Sequence, residues 1–180
     1  YKNKTKLKWT GIWKDLNENL DRQNIGLINK NNPADNHNIK HALLDVYDLN
    51  NNSVDIDQCE DILHYIHPNL ILNYVNEIYR ILKPGGLLRI SVPDYESLKN
   101  INRCLRDDDG NILFDPDGGG SFKEGKVIDG VIWFPTVKPL ALILNDTLFN
   151  NIFYQSYTEF GISMHHKIDY NLGYIKNSED

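Results

Sequence analysis

Three groups of side chains in this sequence have types and spacing that could do chemistry. The first is Asp48-Leu49, an acid and a branched apolar residue just ahead of the polar run Asn50-Asn51-Asn52-Ser53. Open α/β sheets gather ligands at the carboxyl ends of their strands. There such an acid can accept a hydrogen bond from a ligand amino group while the leucine packs on a ring. Composition reads the same acid as the cap of a turn, and both readings stand. The second group is Cys59-Glu60-Asp61 followed by Leu63-His64-Tyr65-Ile66. The third is the histidines, His64 and then His165-His166 ahead of Asp169 and Tyr170. A neutral imidazole at any of the three could take a proton as a general base, and the residue types single out none of them. The plainer reading makes His64 and His67 surface or pocket-wall side chains and gives His165-His166 a local hydrogen-bonding role. None has metal-ligand company.

Other chemistries are excluded by spacing. The segment from Asp107 to Gly130 holds Asp107-Asp108-Asp109-Gly110 and Asp115-Pro116-Asp117-Gly118-Gly119-Gly120, which invites a calcium loop. The register of alternating acids, with glycine sixth and glutamate twelfth, does not fit, so a solvated loop is expected. No Ser-His-Asp order, H-E-x-x-H helix or phosphate loop occurs. Cys59 and Cys104 lack C-x-x-C spacing, which argues against a disulfide framework or a thiolate metal knuckle.

The elements that must position these groups are clearest in the middle of the chain. His41 to Val46 reads as a short strand, and Val54-Asp55-Ile56-Asp57 as a second with apolar residues on alternate positions. A helix is expected from Pro68, with Leu70, Ile71, Tyr74, Val75, Ile78, Ile81 and Leu82 painting one apolar stripe. Lys83-Pro84-Gly85-Gly86 stops it, and Leu87 to Val92 follows as a strand closed by Pro93-Asp94. Strand, helix, turn, strand is a βαβ unit, which implies a parallel sheet. Outside that core the signals weaken. Trp9, Ile12, Trp13, Leu16 and Leu20 fit one face of a short helix, and residues 94–106 fit another through Leu98, Ile101 and Leu105. No period of 20 to 50 residues repeats.

The run from Asp48 to Asp94 resembles the second half of a class I S-adenosylmethionine-dependent methyltransferase of the small-molecule type. It carries, in order, Asp48-Leu49, Val54-Asp55, Leu63-His64-Tyr65-Ile66, Arg80-Ile81-Leu82-Lys83-Pro84-Gly85-Gly86 and Leu88-Arg89-Ile90-Ser91-Val92-Pro93-Asp94. The resemblance implies an α/β, Rossmann-like methyltransferase fold with a mostly parallel sheet, incomplete at the N-terminus. It implies S-adenosylmethionine as cofactor, with Asp48 and Leu49 bordering its adenine. Cys59, Glu60, Leu63 and His64 then line the methionine end. Leu63 to Ile66 matches the family's "LEHI" only at its apolar ends, so any role of the family's glutamate side chain is lost at His64. Gly11-Ile12-Trp13-Lys14-Asp15 resembles "GW-x-N-x-D", which makes Asp15 the acid that grips the ribose hydroxyls after the second strand. The Gly-rich turn would then fall in, or before, residues 1–8, since no G-x-G occurs in residues 1–47. Lys83 to Gly86 is read as architecture, holding no ligand.

Composition bounds the rest. The chain has 180 residues, 41% hydrophobic and 24% charged, which suits one globular domain with a fair-sized core. Residues 1–40 are expected to be a divergent N-terminal part, 41–94 the recognisable core, and 107–160 an insertion on the substrate side. A net charge of −6 offers no basic footprint for nucleic acid and no polybasic membrane patch. No apolar run approaches the roughly 18 residues that span a bilayer. The chain begins at Tyr1 with nothing like a signal peptide, so a cytoplasmic protein with a missing upstream piece is expected. Methyl transfer to a small-molecule or glycan-type acceptor is the expected function. A non-catalytic remnant acting as a binding or assembly module is the alternative, and an unrelated nucleotide- or sugar-binding α/β domain is a third reading.

Overall fold

The structure, a computed structural model, describes residues 6–10, 22–26, 41–42 and 49–167, the first three segments by their backbone alone. Five strands form one sheet: β1 (Lys6–Thr10), β2 (Arg22–Gly26), β3 (His41–Ala42), β4 (Val54–Glu60) and β5 (Leu82–Ser91). Their order is β3-β2-β1-β4-β5, and each neighbouring pair runs parallel. Parallel neighbours cannot be joined by a tight hairpin. Between β4 and β5 the crossover is a helix, α1 (Pro68–Ile81).

β4 has a neighbour on each side, β1 through Trp9↔Cys59 and β5 through Cys59↔Ile90. Strands buried on both faces lose the alternation expected at an exposed face. That is the case here: Val54, Ile56 and Cys59 are buried, and so are Asp57, Gln58 and Glu60. The strand therefore runs three residues beyond the expected Val54–Asp57. On α1, Ile71, Val75, Ile78 and Ile81 are buried at spacings of four, three and three. Leu70 is 43% exposed and falls outside the expected stripe.

The Lys83-Pro84-Gly85-Gly86 turn lies inside β5 as an outward loop. Val54 pairs with Leu82 and Ile56 with Leu87, so residues 83–86 leave the ladder between them. Gly85 takes φ +77°, a backbone conformation that favours glycine. A Cβ on Gly86 would stand 2.8 Å from the Lys83 carbonyl oxygen. Lys83 Nζ meets Asp55 Oδ2 at 2.8 Å, tying the loop back to β4.

One expected helix is corrected at its Trp9 end and another is shortened. Trp9 belongs to β1, because that segment pairs with both β2 and β4; residues 11–21 lie outside the described residues. Of residues 94–106, only α2 (Leu98–Ile101) is helical, and Leu105 enters a strand. A short run of i, i+3, i+4 apolar residues cannot by itself outcompete such pairings.

The chain divides into two compact units. One holds the sheet and the second half of α1. The other comprises residues 63–72 and everything described after Ser91. In this second unit the Asp- and Gly-rich segment forms two small hairpins, β6 (Leu105–Arg106) with β7 (Ile112–Phe114) and β8 (Ser121–Lys123) with β9 (Lys126–Ile128). Helix α3 (Val137–Asn145) and a last hairpin, β10 (Ser156–Glu159) with β11 (Ile162–His165), complete it. That hairpin hangs from two acids that follow β5. Asp94 Oδ2 accepts from the Thr158 amide at 2.5 Å, and Glu96 Oε1 from the Phe160 amide at 2.7 Å.

Candidate functional site

In the sheet unit, β1 lies between β2 and β4, so the chain leaves it first to one side and later to the other. The carboxyl ends flanking that reversal are where doubly wound sheets bind ligands. β1 ends at Thr10 and β4 at Glu60, side by side. Asp61 follows with φ +50°, an uncommon backbone conformation for a residue with a side chain, and its amide bonds the Ser91 carbonyl at 2.9 Å. The bend carries the chain off the end of the sheet.

The expected site residues are distributed unequally. Asp15 and Asp48 lie outside the described residues. In chain order Asp15 falls between β1 and β2, ahead of the end of the second strand, and the expected Gly-rich turn overlaps β1 from Lys6 onward. Leu49 is half-buried. Its carbonyl accepts from Arg80 Nη1 at 3.0 Å, while the same nitrogen also reaches Asn51 Oδ1 and Arg80 Nε takes Glu77 Oε1 at 2.7 Å. Arg80 therefore positions the turn after Asp48, a role the sequence did not expose because its partners are carbonyl and amide groups some thirty positions away. Cys59 is fully buried; burial, with Asp57, Asp61 and Glu60 adding to it, pushes its thiol well up, so it is a packed, protonated strand residue. Glu60 ends β4 and is 8% exposed.

In the second unit, Leu63 and His64 open a single 3-10 turn, Leu63–Tyr65, held by three bonds. Trp133 Nε1 donates to the Leu63 carbonyl at 2.7 Å, the Ile132 amide to the His64 carbonyl at 3.0 Å, and the Tyr65 hydroxyl to the Gly118 carbonyl at 2.9 Å. Gly118 is required by space, since a Cβ there would lie 2.3 Å from Val131 Cγ2. His64 is buried, and burial lowers its pKa to about 4, opposed by Asp115 and reinforced by Arg103. The imidazole is neutral across the ordinary pH range.

Asp115 is the hub of this unit. It is 1% exposed and accepts from Arg103 Nε at 2.9 Å, Arg103 Nη2 at 2.7 Å, the Tyr95 hydroxyl at 2.6 Å and the Asp117 amide at 3.0 Å. Burial alone would raise its carboxyl, but the Arg103 fork and the Tyr95 hydroxyl outweigh it and hold the group below the usual range. Burial and the Asp115 charge push the Tyr95 hydroxyl far up. The segment expected to be a solvated loop is thus organised around a buried ion pair. The Asp-Pro pair at 115–116, an acid ahead of proline at the start of a helical turn, was the available signal. His165 and His166 are exposed; His165 Nδ1 lies 2.9 Å from Ser156 Oγ, and the His166 ring sits 5.2 Å from that of Phe153. Asp169 and Tyr170 lie outside the described residues. Among the described residues, no three His, Cys, Asp or Glu side chains gather as a metal ion would require, and no helix is long and apolar enough to cross a membrane.

A family model described as a methyltransferase domain matches residues 16–90, the stretch holding β2, β3, β4, α1 and most of β5. Over that segment, less than half of the chain, the sequence is similar to class I, S-adenosylmethionine-dependent methyltransferase domains. Members of this family use S-adenosylmethionine as methyl donor. No curated protein matches the chain.

Proposed function

We propose that this chain transfers a methyl group from S-adenosylmethionine to a small-molecule or glycan-type acceptor, on a Rossmann-like methyltransferase fold. One observation carries the reading: five parallel strands in the order β3-β2-β1-β4-β5, with β1 and β4 ending together, inside and beside a segment that matches a methyltransferase domain. That reversal point suits a nucleoside cofactor. Asp48 and Leu49 are proposed to take the adenine, on a turn that Arg80 holds, and Glu60 to stand at the end of β4 beside the methionine part. The fully buried Cys59 thiol contributes packing, and its backbone is proposed to line the cofactor. Asp15 precedes β2 in chain order, so it does not take the place of an acid after the second strand, while Leu63 and His64 stay cofactor candidates by resemblance alone. The cofactor supplies an electrophilic sulfonium methyl. The protein's task is alignment, which contributes through proximity and orientation more than through acid–base groups. A cytoplasmic site of action belongs to the same proposal and rests on the acidic composition.

A second reading, a non-catalytic remnant, is favoured by one feature. The chain leaving β1 begins Gly11-Ile12-Trp13, with one glycine where close backbone approach to the cofactor usually calls for two or more. Calorimetric titration of the folded chain with S-adenosylhomocysteine separates them. Micromolar binding supports the enzyme, and absence of heat supports the remnant.

A further inference from the structure

We propose that the outer edge of β11 is an interaction surface for a second copy of this chain, the two β11 strands pairing antiparallel about a two-fold axis at Ser163. The surface lies wholly within the second unit. β11 pairs with β10 and with no other described strand. The turn Phe160-Gly161, with φ of +52° and +74°, closes the hairpin on the pair Glu159↔Ile162, as two-residue hairpin turns do. Bonded and non-bonded pairs alternate from there along the ladder, so Thr158↔Ser163 exchanges no bond across it. The Thr158 amide accordingly turns outward, to Asp94. On the other strand the Ser163 amide and carbonyl turn outward too. The two edges of the hairpin therefore differ: Asp94 and Glu96 occupy that of β10, while all four residues of β11 are exposed, Ile162 at 64% and Met164 at 41%.

Proteins blunt sheet edges with charge, lysine above all. In this unit β6 carries Arg106, β8 Lys123 and β9 Lys126, and β7 lies against β9. Ile162-Ser163-Met164-His165 holds no acid, lysine or arginine. The strand is also its own complement. With the axis at Ser163, that residue meets its copy, and the two exchange amide-to-carbonyl bonds in both directions. Ile162 then stands opposite Met164 of the second copy, so the exposed apolar pair is covered on both sides of the axis. Charge fixes the direction. Antiparallel pairing lays the tip of each hairpin, with Glu159 and the 81% exposed Phe160, toward the strand end that carries Lys167 in the other copy. Parallel pairing would set Lys167 beside Lys167 and Glu159 beside Glu159.

The test is sedimentation velocity of the full chain over a dilution series, where a monomer–dimer equilibrium is expected. Ser163→Pro deletes the outward amide and leaves the bonds between β10 and β11 in place, so it should fold and weaken dimerisation about tenfold or more. Ile162→Lys and Met164→Glu should each weaken it alone and restore it when combined in one chain, because the two positions face each other across the axis. Cα atoms of a bonded antiparallel pair stand about 5.5 Å apart, within disulfide reach. Ser163→Cys under mild copper-catalysed air oxidation should therefore give a linked dimer beyond anything seen with the parent chain. Should Ser163→Pro fail to fold, the paired charges and the cross-link decide. A chain that stays monomeric at every concentration overturns the proposal and leaves the edge to a strand of another protein. A dimer indifferent to Ser163→Pro and to both charged substitutions overturns it as well.

Discussion

The guanidinium of Arg80 on α1 donates to the backbone carbonyl of Leu49 at 3.0 Å, joining the end of a helix to the turn that follows Asp48. The backbone reinforces the junction, with the Asn52 amide on the Arg80 carbonyl at 3.2 Å and the Ser53 amide on that of Ile81 at 2.9 Å. Arg80→Met removes the fork and keeps the stem. A charge-assisted bond is worth about 1.5 to 3 kcal/mol, so S-adenosylhomocysteine affinity should fall about tenfold in calorimetry. Unaltered affinity in a folded variant would detach this turn from the cofactor.

Asp48→Ala tests the proposed adenine contact directly. The expected loss is again about tenfold in affinity, from one hydrogen bond to a charged acceptor. Thermal stability should barely move, which distinguishes a ligand contact from a structural one.

The loop within β5 makes the opposite demand. Gly85→Val places a β-branched side chain at φ +77° in open space, so its cost is backbone strain of about 1 to 2 kcal/mol. Gly86→Ala instead brings a Cβ against the Lys83 carbonyl. Both should lower the urea midpoint with or without S-adenosylhomocysteine present.

Acid should destabilise the protein in two stages. His64 titrates at about 4 in the folded chain against an ordinary 6.5, so the unfolded chain takes up the proton first. Its contribution is whole above pH 6.5 and lost as pH falls to 4, on the order of 3 kcal/mol in all. His64→Phe should flatten that window in urea unfolding measured across pH. Asp115, whose carboxyl is held low, keeps its contribution above the usual carboxylate range and loses it only as pH falls through the depressed value. A His64→Phe variant with the parental slope between pH 6.5 and 4 would show that the imidazole is not buried neutral.

Arg103→Met strands a buried carboxylate, whereas Tyr95→Phe removes one of its several donors. The first should cost about 3 to 5 kcal/mol and the second about 1 to 2. Equal losses in chemical denaturation would mean that Asp115 is wetter than its 1% exposure indicates.

The part of this architecture legible in the sequence is the part set by local pattern. Ile71, Val75, Ile78 and Ile81 announce a helix by their spacing, and Pro84-Gly85-Gly86 its stop. β1 was not legible: Lys6-Leu7-Lys8-Trp9-Thr10 is short, and its assignment depends on partners far along the chain, Arg22 to Gly26 and Ile56 to Cys59. The Asp115 hub was hidden for the same reason. Its partners Arg103 and Tyr95 stand 12 and 20 positions away, and aspartate among glycines carries no periodic mark. Asp48 stands out by its place after an expected strand and by resemblance, while the Arg80 fork that holds the turn after it is visible only in three dimensions.

The indole of Trp133 is bonded to the Leu63 carbonyl at 2.7 Å, at the first residue of the turn that bears His64. Tryptophan emission depends on what its ring nitrogen touches. With Trp9 and Trp13 replaced by phenylalanine, this single fluorophore becomes an internal optical gauge of that turn. Its colour would register any displacement of the turn as a ligand arrives, with no dye attached.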